Sequence, residues 1–118
     1  MGTTAYIIVR LTVEGLHMWP DAEKQIPEVG YLSNLHRHNF YIELKKHVTE
    51  YDRQIEFIAF KRQIKQYLTT KYFDGYYNCL NFNSMSCEMI AKELLDTFKA
   101  EYCCVLEDNE NGAEVFNS

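Results

Sequence analysis

The period of hydrophobic and polar positions changes along this chain, and the successive patterns predict its elements. Tyr6–Val13 is dominated by Tyr, Ile, Val and Thr with no breaker, which predicts a strand. Phe40–Val48 alternates Phe40, Ile42 and Leu44 with Tyr41, Glu43 and Lys45, which predicts a second strand with one buried face. Between them, Gly15 to Gly30 carries Trp19-Pro20-Asp21 and Ile26-Pro27 and reads as a loop, so the two strands are expected to pair antiparallel. Tyr51-Asp52-Arg53 reads as a turn. From Phe57 to Leu68 the period becomes helical. Phe57, Phe60, Ile64 and Leu68 form an apolar stripe, with Ile58 and Tyr67 flanking it. Lys61, Arg62, Lys65 and Gln66 form the polar face.

Tyr72–Asn83 is aromatic and Asn-rich and reads as loop. Ser86 is a good N-cap for a second helix carrying Met89, Ile90, Leu94, Leu95 and Phe98. Tyr102–Leu106 reads as a short strand. Asp108–Gly112 is turn chemistry, with Asn and Gly expected at positive φ, and Val115-Phe116 begins a return strand. The order strand, strand, helix, helix, strand, strand predicts a single α+β domain over residues 1–118.

Composition narrows the function classes. Hydrophobic residues make up 47% of the chain and charged residues 25%, as in an ordinary globular domain. The net charge of −5 argues against a nucleic-acid partner, because that binding rests on Lys and Arg neutralising phosphates. It argues equally against adhesion to an anionic membrane, and no apolar run approaches the ~20 residues that span a bilayer. Met1-Gly2-Thr3-Thr4-Ala5 has neither a basic segment nor a signal-peptide pattern, so a cytoplasmic location is expected. Cys79, Cys87, Cys103 and Cys104 contain no CxxC pair. They are read as reduced, structural thiols, with Cys103 and Cys104 on opposite sides of their strand.

The candidate chemistry lies in the histidines. Residues two apart in an extended segment share a face, so His36 and His38 would aim both imidazoles at one point. A strand through Ile7–Val13 could bring His17 to the same point. Three neutral imidazoles suit Zn²⁺ and leave a fourth position open.

The order of elements and several short blocks resemble the 6-pyruvoyl- and 6-carboxy-tetrahydropterin synthase family of tunnelling-fold proteins over nearly the whole chain. Val13-Glu14-Gly15-Leu16-His17 resembles its first zinc-ligand block, and Leu35-His36-Arg37-His38-Asn39-Phe40 its HxHN-aromatic block. Glu56-Phe57 with Lys61, Leu80-Asn81, and Ser86-Cys87-Glu88-Met89-Ile90-Ala91 resemble further blocks in order. Val105-Leu106-Glu107, followed by Asn111, Ala113 and Phe116, resembles its C-terminal pterin-anchor hairpin. The resemblance implies a ββααββ tunnelling fold, with an antiparallel sheet and two helices on one face. It implies oligomerisation, as a trimer or hexamer, into a β-barrel with interfacial sites. It implies zinc on His17, His36 and His38, and Glu107 gripping the pterin's amino-pyrimidine edge. Ser86 and Glu88 are further candidates for ligand contact.

The chain departs from that family at two positions. Leu32 stands where the family has an acid-base cysteine, with Ser33 beside it. The family's Asp-His pair before Leu80-Asn81 has no histidine here: Asp74-Gly75 is one match, and a gapless alignment puts Tyr76-Tyr77 there. Asp74 and Tyr77 are weak catalytic candidates, and Tyr77, Glu28, Ser33 or His47 could supply a substitute relay. General acid–base help is worth about 10²–10⁴ in rate, so the standard synthase turnover is not expected without it. Three readings follow. One is a lyase of pterin or deazapurine biosynthesis with a substitute acid-base group. The second is a non-catalytic protein that binds or sequesters a pterin, a guanine-like base or a purine-type nucleotide. The third is a structural oligomer with a vestigial metal site. The missing Cys and His favour the second over the first, and the retained histidines disfavour the third.

Overall fold

The computed structural model describes residues 2–117. It is a mixed α+β fold on a six-stranded sheet. Strand β1 (Ala5–His17) pairs antiparallel with β2 (His36–Val48) along its whole length, from Ala5 opposite Val48 to His17 opposite His36. Both strands therefore run about four residues past the apolar segments that mark them in the sequence. The ladder of the long hairpin extends through Asn39, His17, His36 and His38, residues of modest strand preference on their own. Gly15 is required within this extension: a Cβ there would sit 2.8 Å from the Phe82 ring and 3.1 Å from Phe40.

The loop between β1 and β2 is not structureless. It holds the single-turn helix α1 (Ala22–Gln25) and a 3₁₀ segment over Pro27–Ser33, with Trp19 N–H donating to Leu32 C=O at 2.7 Å. After the turn at Tyr51–Arg53, α2 (Phe57–Tyr72) begins where the Glu56 side chain accepts hydrogen bonds from the Ile58 and Ala59 amides. Helix α3 (Cys87–Phe98) begins at Ser86, whose hydroxyl accepts from Met89 N–H. Strands β5 (Tyr102–Glu107) and β6 (Asn111–Phe116) close the chain as a hairpin beside β2.

The expected loop over 72–83 instead contains two short strands, β3 (Phe73–Asp74) and β4 (Cys79–Asn81). Strand β4 pairs parallel with β1 through Gly15–Leu80 and Leu16–Asn81, giving the order β3-β4-β1-β2-β5-β6. The sheet is thus antiparallel except at this pair. Burial of Leu80 and Phe82 draws the segment onto the sheet edge, and that tertiary term outweighs its loop-like composition.

Both long helices cover one face. Val9, Leu11, Phe40, Ile42, Leu44, Cys103 and Val105 point from β1, β2 and β5 into one core with Phe60, Ile64 and Leu68 of α2 and Ile90, Leu94 and Leu95 of α3. Phe57 and Met89, expected in the helical stripes, are instead 56% and 55% exposed, each in the first turn of its helix. Cys103 faces the core and Cys104 the other side, as alternation requires. The final turn meets the expectation at its asparagine, Asn109, but not at its glycine. Asp108 and Asn109 carry the positive φ values, 54° and 59°, and Glu110 N–H donates to Glu107 C=O. Two left-handed central residues are the pattern of a type I′ hairpin turn, which suits Asp and Asn. Gly112 has no positive φ; its lack of a Cβ admits the Val105 carbonyl, 1.9 Å from where that atom would lie.

Candidate metal centre

The register of the β1–β2 hairpin sets His17 directly opposite His36, and the alternation along β2 brings His38 to the same face. The three rings pack edge to face, with centroids 4.6 Å (His17–His36), 5.4 Å (His17–His38) and 5.0 Å (His36–His38) apart. One nitrogen of each lies within 4.8 Å of those of the others, the one such group of potential metal ligands among the described residues. Phe40 supports the cluster from beneath, its ring 5.1 Å from His17 and 5.8 Å from His38.

Each Nδ1 is held from outside the cluster. His17 Nδ1 donates to Met85 C=O at 2.9 Å, and His36 Nδ1 to Asn34 C=O at 2.8 Å. His38 Nδ1 lies 2.7 Å from Asp108 Oδ2, while Asp108 Oδ1 accepts the Asn39 amide at 3.0 Å. Carbonyl and carboxylate oxygens only accept, so each Nδ1 carries a proton, and the Nε2 of a neutral ring then presents a lone pair. A second-layer acceptor on Nδ1 is the arrangement that orients metal-ligating histidines.

Glu107 enters from β5. It stands opposite Phe40 in the β2–β5 ladder, on the same face as the histidines. Its Oε2 lies 2.9 Å from His17 Nε2 and its Oε1 3.4 Å from His38 Nε2. The second contact lies off the hydrogen-bonding direction, and His38 Nε2 is buried without a hydrogen bond. A buried nitrogen of this kind costs about 1–3 kcal/mol if left unpaired. Burial is also the main influence on His17. It holds that imidazole below its ordinary 6.5, against the opposing pull of the Met85 carbonyl and the Glu107 charge. Three converging ring nitrogens, one of them buried without a partner, beside a carboxylate make a site suited to a cation.

A cavity of about 350 Å³ opens beside His17 and His36. Glu107, Ser86, Glu88 and Leu32 line it, and the hydrocarbon side chain of Leu32 offers no proton. The Ser86 oxygen also caps α3, and Glu88 is exposed in the first turn of that helix. Asp74 and Tyr77 lie away from this cavity, on the turn joining β3 and β4. Asp74 accepts there from Tyr76 N–H and the Asn81 amide, and Tyr77 packs against Tyr76. Glu28, Ser33 and His47 do not line the cavity either. Ser33 donates to Gly30 C=O, and His47 stacks on Tyr6 at the opposite end of β2.

Two contacts at this site were not legible in the sequence. Asp108 read only as a turn residue; its position directly after Glu107 was the available signal, but its reach to His38 depends on the β2–β5 register. Cys87, grouped with the structural thiols, has its Sγ 3.7 Å from Glu107 Oε2, and burial together with that carboxylate pushes the thiol up to about 12. The four cysteines are unbridged. No helix among the described residues is long and apolar enough to cross a membrane. The chain matches no protein-family model and no curated protein.

Proposed function

We propose that this protein is a zinc-binding, 6-pyruvoyl/6-carboxy-tetrahydropterin synthase-like protein that binds a pterin- or guanine-like ligand without the standard synthase turnover. The observation that carries the reading is the convergence of His17, His36 and His38, each with its Nδ1 engaged outward, beside Glu107 and an open cavity. Zinc on the three Nε2 atoms supplies a Lewis-acidic position for a ligand oxygen. Glu107 accepts in parallel from the adjacent N–H donors of a 2-amino-pyrimidinone edge, and Ser86 and Glu88 line the approach. Leu32 in the cavity, and the distance of Asp74 and Tyr77 from it, support the non-catalytic form of this reading.

The tunnelling fold belongs to the same proposal. The observed order of long elements, ββααββ, and the placement of both helices on one sheet face support it. So does the uncovered sheet face, where Tyr6, Ile8 and Phe116 are exposed beside charged residues. In the proposed homo-oligomer, a trimer or hexamer, that face lines a barrel and the hairpin edges pair between subunits, which removes free strand edges.

A second reading, an active lyase of pterin or deazapurine biosynthesis, is favoured by one observation. The Cys87 thiol touches Glu107, so a proton-bearing group stands at the site even though the family's own is missing. The test is direct. Zinc stoichiometry is measured on the purified protein, followed by binding of pterin and guanine and turnover of dihydroneopterin triphosphate. Bound zinc, tight ring binding lost in Glu107→Ala, and no turnover are expected. Turnover at an ordinary enzymatic rate, lost in Cys87→Ala, establishes the lyase instead. Protein that takes up no metal even after zinc soaking removes the triad assignment.

A further inference from the structure

Glu107 is asked to do two things in one place. As a ring anchor its carboxylate must face the cavity and accept from a ligand. In the structure both of its oxygens turn toward histidine nitrogens instead, Oε2 to His17 at 2.9 Å and Oε1 to His38 at 3.4 Å. Donor atoms held about 2.0–2.1 Å from a tetrahedral zinc stand roughly 3.3 Å apart. The carboxylate–imidazole separations bracket that spacing. With each Nδ1 proton committed outward, the Nε2 of a neutral ring turns a lone pair toward an anion, a contact that a shared cation converts from repulsion to attraction.

We propose that Glu107 is a ligand of the metal in the ligand-free protein, completing a three-histidine, one-carboxylate shell, and that a ring ligand binds by drawing this carboxylate away. This rests on the reading above, in which the histidines hold the metal and Glu107 anchors the ring. The consequence is a site that exchanges one state for another. Closed, it would have no open coordination position and so hold no water to activate, and the carboxylate would offset half of a divalent charge. Opened, the carboxylate spends its lone pairs on the ring's N–H donors, and the vacated position accepts a ligand oxygen. Metal and ring then compete for one side chain. Cys87 lies on the side of Oε2 and donates to it at 3.7 Å.

Cobalt(II) reports the shell directly, because its ligand-field bands depend on the donors bound and not on their neighbours. Wild type and Glu107→Gln are titrated with cobalt alone, and pterin is then added to each. The expected result is four-coordinate bands in wild type, different band positions in Glu107→Gln, and cobalt affinity weaker by about tenfold or more. Pterin is expected to shift the wild-type bands toward those of the variant. Glu107→Asp, which keeps the charge but shortens the reach, is expected to fall on the variant side and covers the case in which Gln fails to fold. Bands identical in wild type and both variants overturn the proposal whatever pterin does. Pterin binding that survives Glu107→Gln overturns the ring-anchor reading and leaves the metal-ligand assignment to stand on the bands. The two failures are therefore separable.

Discussion

Asp108 holds His38. Its Oδ2 lies 2.7 Å from Nδ1, while Oδ1 takes the amide of Asn39, the next residue on β2. One carboxylate therefore fixes both the ring and the strand that carries it. The His38 hydrogen bond, followed by the Asn39 amide, keeps the Asp108 carboxyl below its ordinary range. Replacing it as Asp108→Asn keeps a residue tolerant of the left-handed φ at this turn. The expected result is an unchanged fold by circular dichroism and a loss of zinc affinity of roughly 10- to 100-fold in a competition titration, the usual effect of removing a hydrogen-bond partner of a metal-ligating histidine. Unchanged affinity would mean that the turn, not the carboxylate, orients His38.

Acid should destabilise the metal-free protein through His17. Burial lowers its folded-state pKa below 6.5, so between the two values the unfolded chain binds more protons. The His17 contribution is then fully present above about 6.5 and is lost as pH falls from there through the folded-state value. Urea midpoints measured from pH 8 to pH 5 in the presence of a chelator should fall, and His17→Gln should flatten that part of the curve. A wild-type curve level across this range would mean that His17 is not held neutral.

Glu93 joins the two long helices. It accepts from Tyr67 and Tyr72 hydroxyls at 2.7 Å each and from Lys71 at 3.0 Å. The Tyr72 hydroxyl also reaches the Met85 sulfur at 3.4 Å, and the Met85 carbonyl holds His17. Glu93→Ala leaves two half-buried hydroxyls without their acceptor, a loss of about 1–3 kcal/mol in denaturant unfolding. Tyr72→Phe removes one of these bonds and should cost about 0.5–1.5 kcal/mol. Equal stability in both variants would contradict a role for this network in packing α2 on α3.

Gly15 is a packing position. Ala at this site puts a methyl group 2.8 Å from Phe82 and 3.1 Å from Phe40, and Phe40 supports His17 and His38. Overpacking of this kind costs about 1–3 kcal/mol. Gly15→Ala should lower both the unfolding midpoint and zinc affinity, whereas Gly75→Ala, at a position with open space around it, should alter neither. Gly15→Ala with wild-type midpoint and affinity would mean that the rings yield without strain.

The sequence by itself determined the long elements. Period-two alternation in Phe40–Val48 and period-3.6 spacing in Phe57–Leu68 are local properties, written by which side chains must leave water, and the strands and helices stand where those patterns lie. The histidine pair was legible for the same reason, since two residues apart on a strand is a geometric statement. Other features depended on residues distant in the chain. Strand β4 exists because Leu80 and Phe82 are buried against β1, which no local pattern encodes. His17 meets His36 only through the hairpin register, and the strands reach that point on the strength of their ladder rather than their composition. Asp108, Cys87 and the inward turn of Glu107 are likewise products of the β2–β5 register and the start of α3. The residues that orient and charge the site come from four separate segments, and only folding makes them neighbours.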